Sequence, residues 1–241
     1  MTSPAPAETL RVGLVQLRSG RDMAANRDAA AALVREAARE GAHYVQTPET
    51  TNIMELDRAR LFELLKEEAE DETLAALREL ARELKIHLHI GSLALKVSDT
   101  KAVNRAILID PEGEIAARYD KIHMFDVDLG NGESYRESSA YRPGERAVTA
   151  DVGGIKVGLS ICYDLRFPAL YRALSEVGAK VLTVPSAFTR PTGEAHWHVL
   201  LRARAIENGA YVLAAAQGGR HENGRDTYGH SLVVDLSLIH I

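Results

Sequence analysis

Apolar and polar positions change period several times along the chain, and the changes outline alternating strands and helices. Residues 11–17 alternate as a short strand. Residues 22–40 then repeat at helical spacing, rich in Ala, and stop at Gly41, a residue suited to the left-handed end of a helix. Residues 43–47 read as a strand that ends at Pro48-Glu49, and residues 58–85 as two helices broken near Glu70-Asp71, where acidic residues mark a solvated boundary. Residues 86–95 and 104–109 read as paired strands, and the turn chemistry of Pro111-Glu112-Gly113 leads into a third over residues 114–119. Residues 125–146 have little apolar periodicity and read as an extended loop, and loops of that length inside compact domains usually serve function. Beyond it, residues 154–161 form an apolar strand that runs into Cys162, and residues 168–177 a helix with Pro168 in its first turn. Residues 181–185 and 211–216 add strands around a helix over 193–208, and one more strand begins at 231–235. Strands alternating with helices, with hairpins between, predict an α/β fold built on a mixed sheet.

Composition narrows the function. A chain of 241 residues that is 46% hydrophobic can bury a sizeable core as one domain, expected over residues 10–235. The net charge of −5 comes without a basic block, so no nucleic-acid partner is expected. Residues 1–9 lack both a basic segment and an apolar stretch and read as a disordered N-terminal segment. No 18-residue uncharged apolar run occurs, so the protein is expected to be cytoplasmic, with no membrane partner. Residues 236–241 break the pattern in mid-strand and are expected to be a non-native tail on a C-terminally truncated domain. Small-molecule chemistry is the class that remains.

A single cysteine excludes an internal disulfide and a cysteine-rich metal site, leaving Cys162 as either a buried small hydrophobe or a reactive thiol. Its place at the C-terminal edge of a strand and ahead of a helix favours the second reading, and the helix N-terminus is expected to favour thiolate. A thiol nucleophile needs a base for its proton and a donor for the oxyanion it creates. None of the nine histidines announces itself as that base. His87 and His89 alternate with apolar residues on one strand face, and His196 and His198, two apart, do not share a helical face for a metal. Glu49 and Lys121, each at the end of a strand, offer another route, because a buried carboxylate can act as base and a cation can polarise a carbonyl or nitrile. Taken singly, each reads as a surface charge at a strand terminus.

Together they form a recognisable set. Pro48-Glu49, Tyr119-Asp120-Lys121-Ile122-His123 and Ile161-Cys162-Tyr163-Asp164-Leu165-Arg166-Phe167-Pro168 resemble, in order, the glutamate, lysine and cysteine signatures of the nitrilase superfamily, and the resemblance runs over residues 10–235. It implies a four-layer α-β-β-α sandwich, a homodimer or higher homo-oligomer, and chemistry with no metal and no organic cofactor. It also implies roles: Cys162 attacks the carbonyl carbon and becomes a thioester, Glu49 carries the proton, Lys121 and the backbone N–H of Tyr163 hold the oxyanion, and Glu137 supports the triad. Pro185-Ser186-Ala187-Phe188, Ala195-His196-Trp197 and Tyr228-Gly229-His230-Ser231 are most similar to the ω-amidase and deaminated glutathione amidase branch. That branch hydrolyses α-keto acid amides with release of ammonia, and in it the positions of Arg166 and Phe188 contact substrate. An arginine fork facing a substrate carboxylate would select acidic amides, although Arg166 equally suits a surface or interface role. A nitrilase or N-carbamoyl amide hydrolase shares the same three catalytic residues and stays open as an alternative. So does a truncated fragment without turnover, or a non-catalytic binding protein.

Overall fold

Each strand of the chain sends alternate side chains into two different layers, and this dictates the architecture. The computed structural model describes residues 9–129 and 132–235; the segments expected to be an N-terminal extension and a tail fall largely or wholly outside these. The first sheet has the order β1-β2-β3-β4-β5: β1 (Val12–Leu14), β2 (Tyr44–Gln46) and β3 (His87–Lys96) are parallel, and β4 (Ala102–Ile109) and β5 (Ile115–Asp120) continue antiparallel. Along β4, Ala106 and Leu108 enter the layer between the sheets while Ile107 and Ile109 pack beneath two outer helices. Those helices are α1 (Met23–Arg39) and α3 (Glu72–Leu84), separated in the chain by the short α2 (Arg58–Leu64). Asp22 and Asp71 cap α1 and α3 by accepting from Ala24, Ala25 and Leu74 N–H groups, and the helices bury Ala30 and Val34, and Leu74, Leu77 and Ala81, against the sheet.

Between the sheets the chain runs through a hairpin of β6 (Asp126–Asp128) and β7 (Ser134–Arg136) into a one-turn helix α4 (Glu137–Ala140). The second sheet has the order β14-β11-β10-β9-β8. Its centre, β9 (Ile155–Leu159), β10 (Val181–Thr183) and β11 (Tyr211–Ala214), is parallel, and β8 (Val148–Val152) and β14 (Leu232–Val234) close the two edges antiparallel. Its outer face is covered by α5 (Pro168–Glu176), through Leu170, Tyr171 and Leu174, and α6 (Arg190–Asn208), through Trp197, Leu201 and Ala205. A small hairpin of β12 (Gly218–Arg220) and β13 (Asp226–Tyr228) rises from the inner edge. The result is the expected four-layer α-β-β-α sandwich.

Three details depart from the sequence reading. The segment over residues 125–146 is not featureless, because it holds β6, β7 and α4; three-residue strands are too short to display a period. The three-residue strands of the β12–β13 hairpin escape the reading for the same reason, and so does the five-residue β8, whose Val148–Val152 run mixes apolar and polar residues. Helix α6 starts at Arg190, not Gly193, with Pro191 in the first turn. Gly193 lies inside the helix, where a Cβ would come within 2.2 Å of the Tyr228 ring.

Candidate active site

Strand ends from both sheets converge on one point. Ile161, past β9, is extended, and Cys162 opens a 3-10 turn, Cys162–Arg166, with a left-handed φ of 49°. That conformation costs a non-glycine residue roughly 1–2 kcal/mol, so the surroundings must hold it. Two contacts do. The Cys162 N–H donates to the Pro185 carbonyl at 3.0 Å, which ties the elbow to the end of the neighbouring strand. The fully buried Asp164 carboxylate accepts from Ile161 N–H and the Tyr119 hydroxyl on Oδ2, and from the His123 N–H and ring Nδ1 on Oδ1. Asp164 thereby joins the cysteine turn to the segment that follows β5, the segment that bears Lys121.

Glu49 sits just past β2 and is followed by Thr50, also left-handed with φ 54°. What brings it to Cys162 is Gly91, inside β3 where the register with β4 shifts. A Cβ on Gly91 would lie 2.0 Å from the Thr47 carbonyl oxygen, 2.3 Å from Pro185 Cβ and 2.9 Å from Pro48 C. Only glycine lets the two sheets approach this closely at the site.

The buried ammonium of Lys121 lies 3.0 Å from Glu49 Oε1 and 3.0 and 2.8 Å from the two oxygens of Glu137, the first residue of α4. The Phe125 N–H also donates to Glu137 Oε2. Burial pushes the Glu49 carboxyl up, but the Lys121 charge, hydrogen bonds from Cys162 and Lys121 and the charge of Arg225 carry it below its ordinary value. Burial pulls the Lys121 ammonium down, and the charges of Glu137 and Glu49 more than reverse this, leaving it well above its ordinary value. Burial raises the Cys162 thiol strongly and the Glu49 charge adds to this, against the smaller opposing effects of Lys121 and an Ala187 backbone hydrogen bond. The expected thiolate is therefore corrected: the resting group is a neutral thiol facing a carboxylate, since desolvation and a neighbouring negative charge outweigh a helix end one turn away.

These groups open onto a cavity of about 350 Å3, large enough for a small substrate. Tyr163, Arg166 and Phe188 line it as well, with the Arg166 guanidinium carbon 5.8 Å from the Tyr163 ring and 5.4 Å from the Phe188 ring. All seven residues singled out from the sequence thus share one cavity. Three others were not singled out. Asn104 donates to both glutamates, the half-buried Tyr141 lies close to them with its phenol pushed up by desolvation and by the charges of Glu137 and Glu49, and Arg225 leans over the Tyr135 ring. A lone Asn in an apolar strand was the only available signal for Asn104.

A model of the carbon-nitrogen hydrolase family matches residues 11–241. The chain belongs to this family. A relative from Yersinia enterocolitica, described as deaminated glutathione amidase, is 43% identical over 230 residues, covering 93% of this chain and 79% of the relative. Among solved structures, the Caenorhabditis elegans NitFhit protein superposes with a TM-score of 0.89 at 37% identity, over 95% of this hydrolase and 56% of that chain. A variant of the amidase from Nesterenkonia sp. AN1, with acrylamide added at its active-site cysteine, superposes with a TM-score of 0.84 at 28% identity, over 96% of this hydrolase and 87% of that chain. The expected nitrilase-like fold and carbon-nitrogen hydrolase chemistry hold. Among the described residues, no helix of this hydrolase is long and apolar enough to cross a membrane.

Proposed function

We propose that the protein is an amidase of the deaminated glutathione amidase and ω-amidase type, with Cys162 as nucleophile. The observation that carries this reading is a buried Lys121 ammonium within 3.0 Å of both Glu49 and Glu137, beside a thiol that shares a hydrogen bond with Glu49. In the first half-reaction the Cys162 sulfur bonds to the amide carbon, its proton passes to Glu49, and the carbonyl π pair moves to oxygen. Lys121 and the Tyr163 N–H stabilise that oxyanion. Collapse breaks the carbon-nitrogen bond, the amine leaves with the proton from Glu49, and a thioester remains. Glu49 then takes a proton from water, the hydroxide adds to the thioester carbon, and thiolate departs and regains the proton. The leaving group is ammonia for a primary keto amide such as α-ketoglutaramate and cysteinylglycine for deaminated glutathione.

Substrate choice follows from Arg166. It reaches the cavity beside Phe188, with His196 as a hydrogen-bond partner at 3.2 Å and no carboxylate paired with it among the described residues. An unneutralised guanidinium suits the carboxylate of a keto acid amide. A second copy of the chain is the assembly partner we assign, over the exposed Val199 and Ile206 of α6; sedimentation at the mass of one chain would remove it. The function is tested by keto acid release from α-ketoglutaramate and from deaminated glutathione, with an aliphatic nitrile alongside, by the wild type and Cys162→Ala. Turnover of a keto amide that vanishes in the variant is expected. Turnover that persists in Cys162→Ala, or wild type that hydrolyses only the nitrile, would overturn the reading.

A further inference from the structure

We propose that Asn104 is a positioning residue that fixes which oxygen of Glu49 faces the thiol. The proposal rests on the reading of Glu49 as the base. Asn104 lies in β4, 3% exposed, and contacts both glutamates through its side chain and Lys121 through its backbone. Its backbone carbonyl accepts the Lys121 N–H at 2.9 Å, which couples it to the lysine's own main chain. Its side-chain Nδ2 donates to Glu49 Oε1 at 2.9 Å and to Glu137 Oε1 at 3.2 Å.

Glu49 Oε1 accordingly takes two donors, Asn104 Nδ2 and Lys121 Nζ, and we infer that Oε2 is the oxygen that serves the Cys162 thiol. The amide orientation is unambiguous, because a flipped side chain would set its carbonyl oxygen against two carboxylates. The orientation has a cost: Asn104 Oδ1 is buried with no hydrogen-bond partner among the described residues. A residue kept only for stability would be expected to have that atom satisfied. Asn104 instead leaves it bare in order to place one N–H2 between two carboxylates. An amide does not titrate, so it stays a donor while the carboxyl alternates between charged and protonated, and its stronger bond to the charged form favours that form. A second cation in its place would hold Glu49 too strongly for it to accept the proton.

The test uses Asn104→Leu, close in size but without donors, and Asn104→Asp, close in shape but with a third carboxylate. The charged and titratable groups facing Glu49 are Lys121, Cys162, Arg225, Tyr141 and, across Lys121, Glu137, and both variants leave all of them in place. Two profiles are read between pH 4 and 9: kcat/KM on α-ketoglutaramate and the rate of Cys162 alkylation by iodoacetamide. With a donor to the ionised form gone, the acid limb of both should move to higher pH by about one unit in Asn104→Leu and further in Asn104→Asp. The value of kcat should fall on the order of 30-fold while KM stays within about threefold, since nothing that touches substrate is removed. Acid limbs that stay at the wild-type pH in both variants would overturn the proposal, whatever the loss of rate, because a merely structural Asn lowers rate without moving them. Asn104→Asp keeps the side-chain volume should Asn104→Leu fail to fold. A wild type inactive on keto amides would defeat the substrate reading alone, and the alkylation profiles would still decide the role of Asn104.

Discussion

Replacing Gly91 with Ala should damage catalysis as well as stability. The new methyl group would meet the Thr47 carbonyl at 2.0 Å and Pro185 Cβ at 2.3 Å, so both must retreat by on the order of 1 Å to reach ordinary contact. Neither obstacle is a flexible side-chain tip. Thr47 and Pro48 lead directly into Glu49, and the Pro185 carbonyl receives the Cys162 N–H, so the two retreats move Glu49 and Cys162, the proposed base and nucleophile, apart. Overpacking of this kind costs about 1–3 kcal/mol of folding free energy. A misplacement of about 1 Å between reacting groups costs on the order of 100-fold in rate. Thermal unfolding and steady-state kcat on the best keto amide, measured on Gly91→Ala beside the wild type, separate the two effects. A variant with kcat within twofold of wild type would refute the reasoning, because the sheets would then have opened at Gly91 without disturbing the site.

Two further outcomes are expected. Arg166→Ala should weaken kcat/KM for carboxylate-bearing amides by about 1.5–3 kcal/mol relative to neutral amides, roughly 10- to 150-fold, if a charge-assisted hydrogen bond is lost; equal losses on the two substrate types would remove Arg166 from substrate selection. His89 is fully buried, its Nδ1 is bonded to the Tyr44 hydroxyl at 2.7 Å, its Nε2 has no partner among the described residues, and burial pulls its pKa down to about 3 from 6.5. The folded pKa is depressed, so between these values the unfolded chain binds the extra proton, and stability is lost as pH falls below 6.5: about 2 kcal/mol by pH 5. Urea unfolding of wild type and His89→Gln at pH 5 and 8 reads the difference, and parallel losses in the two proteins would exclude His89 as its source.

How much of this was legible in the chain depended on how local each feature is. Glu49, Lys121 and Cys162 each end an apolar strand, and a strand end is visible in one dimension; that the three ends meet was visible only through the resemblance of their motifs. The partners of Asn104 come from β2, from the end of β5 and from α4, so its role depends on sheet order and on a helix of four residues that carries no period. Arg225 stands between two three-residue strands and was hidden for the same reason. The state of the thiol was misread because position relative to a helix can be inferred from sequence, whereas burial of Cys162 beside a charged Glu49 cannot. Desolvation is a property of the assembled layers.

The presence of two glutamates around one lysine has a physical reason that the proton path supplies. In the proposed mechanism the neutral Cys162 thiol at rest faces the Glu49 carboxylate beside the Lys121 ammonium. If, as proposed, the thiol proton moves to Glu49, negative charge moves with the electron pair to the substrate oxygen, and the total is unchanged, so the buried site undergoes no change of net charge that water would have to stabilise. Lys121, however, loses the charge of Glu49 as a partner at that moment. With Glu49 alone beside it, the ammonium would be left in a dry pocket with only a developing oxyanion, and its own proton would be at risk of transfer. Glu137 contacts Nζ through both oxygens and is anchored by the Phe125 N–H. It keeps Lys121 charged and in place while Glu49 is neutral. On this account the first glutamate moves protons and the second holds the lysine, and the neutral amide of Asn104 donates to both.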